Sequence, residues 1–216
     1  GVSVDKPVEA RLSDVDEMIA ECEKRGIVFA GGNLQRAIGE VQEAARWLHA
    51  GDFGEIRGAS VHGWGGEISG GGCQHIAVLR LFTGAEITEV IAWGAPQEAL
   101  EKDDDEGLMI NAQFKLSNGL ICPIFSEATL TRGVDVWTDD ALIRWDWGPP
   151  VIYQGFDDAG ARIRIDRPYT PLKYPRFSYL GTSILSFLDA VENGGELYVS
   201  GHDLRQSLAA AVAAQH

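Results

Sequence analysis

No stretch of this sequence approaches the roughly 20 consecutive apolar residues that cross a bilayer, and its start, GVSVDKPVEA, has no basic-then-apolar leader pattern. The reading is a soluble, cytoplasmic protein. Cysteine is scarce: Cys22, Cys73 and Cys122 stand far apart with no C-x-x-C spacing, so neither a disulfide framework nor a zinc cluster is indicated. Basic residues are outnumbered, 18 Lys and Arg against 32 Asp and Glu, for a formal charge of -14 with no basic patch to offset it. Such a chain repels phosphate backbones and anionic lipid surfaces, so neither nucleic acid nor a membrane is an expected partner.

What is present is apolar and rich in glycine. At 216 residues, 45% of them hydrophobic, the chain can bury a substantial core, and 26 glycines with six tryptophans fit a sheet with many tight turns and aromatic surfaces. Val2 and Val4 alternate as the end of a strand, which Asp5-Lys6-Pro7 stops because proline removes a ladder donor. Lys6 is thereby left at a strand terminus. Ser13-Asp14-Val15-Asp16 offers an N-cap and an acidic first turn to a helix that runs through Met18, Ile19 and Cys22 to Gly26. IVFAGG, residues 27–32, is a short apolar run ending in glycines, as expected of a buried parallel strand. Strand, helix and strand within some 30 residues form one βαβ unit, like the last piece of a doubly wound sheet whose earlier pieces are absent.

Beyond residue 32 the pattern changes. Leu34, Ile38, Val41, Ala45 and Leu48 make one stripe of a long amphipathic helix predicted over residues 33–50, with Gly51 as its stop. GDFGEIRGASVHGWGG reads as turn and strand. A glycine cluster (Gly70, Gly71, Gly72), a helix over 75–82 and a strand over 87–93 follow, and the acidic run 101–106 reads as a solvated turn. From residue 107 to 165, short strands separated by Asn-Gly or Asp/Gly turns predict an antiparallel meander, and helices over 179–191 and 204–214 close the chain. The expected fold class is α+β, one open, mainly antiparallel sheet with helices on one face.

These landmarks, in this order, resemble the Gfo/Idh/MocA family of NAD(P)-dependent oxidoreductases, which act on sugars, inositols and related polyols. VDKPVEARLSDVDEMIAECEKRGI resembles that family's Glu-Lys-Pro strand and helix, with Asp5 in place of Glu. FAGGNLQR resembles its strand ending in an arginine, here Arg36, and GDFGEI, SGGGCQHIAVLRLFTG, the meander and the last helix fall where the family has counterparts. The resemblance covers the whole chain. It implies that residues 1–32 are a remnant of a Rossmann-type dinucleotide-binding domain and that residues 33–216 form a C-terminal substrate and oligomerisation domain. The Gly-rich turn that opens a helix onto a pyrophosphate is missing, and GWGGEISGGG reads as a turn, so roughly 80 to 100 residues are expected to precede this chain.

Oxidising a secondary alcohol takes a base for the hydroxyl proton while hydride leaves for the nicotinamide, and a donor or cation to hold the oxygen. Lys6 and His75 are the catalytic candidates. By resemblance, Lys6 orients the substrate oxygen and, with Pro7 and Arg36, contacts the cofactor; read alone it is an exposed strand-end lysine. His75 stands at a helix start, where the dipole disfavours added positive charge and the neutral imidazole is favoured; read alone it is a capping or core histidine. The family pattern Asp-x-Gly-x-His-x-x-Asp, set on His75, places Gly71 and Val78 where carboxylates are expected. Glu127 and Asp135 are the candidates to replace them. Gln74, Arg36 and Trp64 are expected on the substrate side, although Gln74 cannot act as a base and a helix-start salt bridge competes for Arg36. His62, Cys73 and His75 match no zinc spacing, so no metal is expected.

The implied function is hydride transfer between NAD or NADP and a sugar-like polyol or its keto form, with the cofactor bound poorly by this chain alone. A homo-oligomer through the open sheet, with its exposed aromatics, is expected. The alternative is a catalytically inactive binding or oligomerisation module of the same fold.

Overall fold

The first strand, β1 (Val2–Asp5), lies parallel to β2 (Phe29–Gly32), in the register Val2 to Phe29 through Asp5 to Gly32. The helix between them, α1 (Leu12–Lys24), buries Val15 and Ile19, so the βαβ unit read from the sequence is present. The computed structural model describes residues 1–6, 11–63, 68–100, 109–127, 132–169, 173–174 and 179–216. Arg11, not Ser13, holds the N-cap position of α1. Gly31 and Gly32 both have positive φ, and a Cβ on Gly32 would collide with Leu204, so glycine here lets the last helix lie directly on β2.

The long helix predicted over residues 33–50 is broken. A 3-10 turn (Leu34–Ala37) ends at Ile38, whose φ of -61 and ψ of 123 are extended, and α2 (Gly39–His49) starts afresh. The Arg36 carbonyl, which a continuous helix would offer to the amide of residue 40, accepts from Gln42 Nε2 at 2.7 Å.

An eight-stranded sheet carries the rest of the chain. Its strands are β3 (Ile56–His62), β4 (Ile87–Ala95), β5 (Met109–Leu116), β6 (Ile121–Phe125), β7 (Gly133–Thr138), β8 (Leu142–Trp145), β9 (Val151–Phe156) and β10 (Arg162–Ile165), in the order β10-β9-β8-β7-β3-β6-β5-β4. The expected meander is therefore interrupted, because β3 inserts between β7 and β6 and runs parallel to β6, while every other neighbouring pair is antiparallel. Strand β5 alternates strictly, with Ile110, Ala112, Phe114 and Leu116 buried beneath the helices. The other face leaves Ile91, Trp93, Ile121, Phe125 and Trp137 exposed.

Helix α3 (Cys73–Thr83) is buried nearly all round, and the residues before it, within the stretch read from the sequence as a turn, form a π-helical turn (Ile68–Gly72). A short helix, α4 (Gln97–Leu100), follows β4. Helix α5 (Tyr179–Asn193) precedes α6 (Gly201–Gln215), which is capped reciprocally by Ser200 and Asp203. Gly31 N–H donates to the Val199 carbonyl at 3.2 Å, and Ala30 bridges to Ser200, so β2 is flanked by β1 on one side and this segment on the other. Val15 and Ile19 share one apolar cluster with α2, α3, α6 and the sheet. No helix among the described residues is long and apolar enough to cross a membrane.

Candidate functional site

His75 occupies the first turn of α3, with no part of the residue exposed. Its Nδ1 lies 2.9 Å from the carbonyl of Gly71, four residues back in the π-helical turn. A carbonyl can only accept, so Nδ1 carries the hydrogen, and the lone pair of the neutral ring is on Nε2, the nitrogen a base would use. Gly71, a position where the sequence reading expects a carboxylate, offers its backbone carbonyl instead, and that carbonyl fixes the orientation of the ring. Val78, at the second such position, is wholly buried and offers no polar group. A carbonyl cannot stabilise an imidazolium as a carboxylate does. Burial therefore lowers the His75 pKa to about 4, with only partial opposition from the Gly71 hydrogen bond and the charge of Asp146.

Two indoles flank the imidazole. Trp145 and Trp147 meet it edge-on, with ring centroids 5.3 and 5.2 Å away, and lie 5.6 Å from each other. Trp145 ends β8, paired with Val134 on the helix-covered face, and is fully buried. Trp147, just past the strand, has a φ of 55, a left-handed conformation that costs a non-glycine residue about 1–3 kcal/mol. Nothing in the tryptophan spacing announced this pairing; it follows from strand parity on β8 combined with the helix start at α3.

The other predicted site residues are dispersed. Lys6, half-buried, follows the end of β1, and its amide donates to its neighbour Asp5 Oδ1 at 2.8 Å. Gln74 is buried beside His75 in sequence. Pro7 and Trp64 lie outside the described residues. Arg36 is committed within the protein: Nε donates to the Tyr198 carbonyl at 3.2 Å, Nη1 to the Ala77 carbonyl at 3.5 Å, and Nη2 lies 3.2 Å from Asp203 Oδ1. Burial pulls its pKa down and Asp203 opposes that. The competing salt-bridge reading describes this geometry, with Asp203 at the start of α6 as partner. Arg80, also buried, reinforces the same junction through the Asp203 carbonyl at 3.0 Å and Glu86 at 2.6 Å.

Asp135 does not reach His75. Its cross-strand partners are Ser60 and Arg144, whereas its neighbours Val134 and Val136 face the core, so it lies on the opposite face of the sheet. There it takes two hydrogen bonds from Arg144, at 2.7 and 2.5 Å, and lies 3.5 Å from His62 Nε2, which is 2.9 Å from Ser60 Oγ. Burial works to raise the Asp135 pKa, but Arg144 and His62 hold it at about 2. Alternation along β3, which puts Ser60 and His62 on one face, was the available signal for this cluster. Among the described residues no group of three His, Cys, Asp or Glu side chains is arranged to hold a metal ion.

No protein-family model matches this sequence, and no curated protein does. Solved structures match along nearly the whole chain. The fold is shared with known oxidoreductases. UDP-N-acetylglucosamine 3-dehydrogenase GnnA from Acidithiobacillus ferrooxidans aligns with a TM-score of 0.72 at 22% identity, over 99% of this chain and 68% of its own. Aldose-aldose oxidoreductase from Caulobacter crescentus, complexed with glycerol, gives 0.73 at 19% identity, over 96% and 67%. An oxidoreductase from Agrobacterium radiobacter, in complex with NAD+, L-tartaric acid and magnesium, gives 0.70 at 18% identity, over 97% and 68%. At such identities the likeness carries the α+β fold. It does not carry an activity.

Proposed function

We propose that this chain is the C-terminal portion of an NAD(P)-dependent oxidoreductase of the Gfo/Idh/MocA type, moving hydride between the nicotinamide and a sugar-like polyol or its keto form. One observation carries the reading: in a fold shared with oxidoreductases, His75 is held as the neutral tautomer with Nε2 as its basic nitrogen. In this reading Nε2 takes the proton of the substrate hydroxyl while the Lys6 ammonium holds the oxygen. A bound nicotinamide supplies the hydride acceptor. Gln74 orients substrate, and Arg36, with its three contacts inside the protein, is assigned to the scaffold.

The residues described here do not fit a pyrophosphate, because the glycine cluster is wound into the π-helical turn and leaves no open loop of amides. The nucleotide would be held by a preceding segment, leaving residues 1–32 as the remnant of its domain. Three features support that. β1 pairs with β2 and with no other strand among the described residues, although two-stranded sheets are marginal alone. Helix α5 exposes a stripe of Leu180, Ile184, Leu188 and Val191. The neighbours are about half as long again as this chain, which spans 67 to 68% of two of them. The open sheet face, with Ile91 and Trp93 nearly 60% exposed at 59% and 58%, is assigned to a homo-oligomer.

The decisive assay uses the complete coding sequence from the native host, tested for reduction of NAD+ and NADP+ on a panel of polyols. Lys6→Ala and His75→Gln are expected to lower kcat by about 100-fold or more. The complete burial of His75 favours a second reading, an inactive binding or assembly module, and absence of turnover in the parent would select it.

A further inference from the structure

A base with no exposed surface cannot meet a substrate unless something moves. This inference rests on the reading of His75 as the base and asks which neighbour yields. Trp145 is held by its pairing with Val134 and is fully buried. Trp147 differs in every respect. It lies beyond the strand end, is half-buried, and is the one non-glycine residue among those described with a positive φ. The conformation that presses its ring against His75 is one a bulky side chain keeps only while its surroundings hold it there. A second observation points to the same place: the Trp145 indole N–H is buried there with no hydrogen-bond partner, although a buried indole usually finds one.

We infer that Trp147 is a gate. Closed, its ring covers His75 from the left-handed backbone; open, it returns to an ordinary backbone region and swings aside. Opening admits a substrate hydroxyl to the imidazole and makes the Trp145 N–H available as a donor beside it. Trp147 thus sets which substrates pass, by size, without taking part in proton transfer.

Diethyl pyrocarbonate, which acylates neutral imidazole, reports access without substrate or cofactor. On the 216-residue chain at neutral pH, His75 is expected to be modified at a rate that does not change with urea below the unfolding transition, as local opening requires. Trp147→Gly, free of the left-handed strain, should speed modification by about tenfold or more, and Trp147→Phe, which keeps a ring, should change it little. In 5-fluorotryptophan-labelled protein, the 19F line assigned by Trp147→Phe should be exchange-broadened or doubled while that of Trp145 stays single. A modification rate that climbs with urea in step with global unfolding, beside a single sharp Trp147 line, would overturn the gate. Both readings use the unsubstituted protein, so they decide the matter even if Trp147→Gly does not fold. A gate that opens in a protein whose complete form turns over no polyol would leave this inference standing and remove the enzymatic one.

Discussion

Two histidines sit on opposite faces of one sheet. His75, under the helices, touches two indoles and a backbone carbonyl, and burial keeps it neutral. His62, on the open face, lies against Phe125 and shares Asp135 with Arg144. The side chain is the same; His75 comes from a helix packed on the covered face and His62 from a strand position on the open face, and the face decides whether a carboxylate is within reach. A sequence motif that records a histidine therefore says little about its chemistry until the face is known. The carboxylate that would suit His75 exists in the chain, but on the wrong side.

The contrast can be broken at either face, and the largest effect is expected at the aromatic wall. Trp145→Ala should cost about 3–5 kcal/mol of unfolding free energy by urea titration; a loss below about 1 kcal/mol would mean that the wall is not packed. Acid should come next. His75 binds a proton less readily folded, with a pKa near 4, than unfolded, near 6.5. The unfolded chain thus takes up more protons as the pH falls between these values. The stability present above pH 6.5 should decline by on the order of 3 kcal/mol toward pH 4. An NMR titration of His75 with a midpoint at 6 or above would place the ring in water. On the open face, Asp135→Asn leaves Arg144 without its carboxylate, at a cost of about 1–2 kcal/mol at neutral pH. The Asp135 pKa is near 2 against an ordinary 3.8, so this difference from the parent should shrink as the pH falls through that window. Smallest of all, Trp93→Lys should alter the stability of the isolated chain by less than about 0.5 kcal/mol, yet lower the mass measured by light scattering if the open face is an oligomer interface.

Much of the architecture was legible because it is local. Alternation in residues 109–116 and the glycine-ended run at Gly31 and Gly32 each specify an element with its own neighbours in sequence, whereas the last helix, expected from residue 204, starts at Gly201 behind its Ser200 cap. The failures were non-local. The helix expected from residue 33 breaks where Arg36 takes Tyr198, Ala77 and Asp203 as partners, which only the folded chain provides, and Gln42 takes up the Arg36 carbonyl that the break leaves open. Strand β3 joins β6 and β7 from more than 60 residues away, and β9 gave no clear alternation to be read. At the candidate site, His75 was noted for its place at a helix start; its orientation by Gly71 depends on a π-helical turn the sequence did not announce, and its burial and two tryptophan neighbours required the sheet. Arg36 illustrates the limit: its type suits a ligand, and only the folded chain shows that its guanidinium meets Tyr198, Ala77 and Asp203.

The carbonyl of Gly71 has a genetic consequence. Where a carboxylate orients an imidazole, losing it takes one codon change, and a screen for inactive mutants finds it. A backbone carbonyl is carried by every residue, so no substitution at position 71 can delete it. Only changes that shift the turn itself, such as a proline or a deletion within residues 68–72, would reach it. A substitution scan of this protein would score the orienting group of its central histidine as absent, while its effect appeared as intolerance to insertions and deletions nearby.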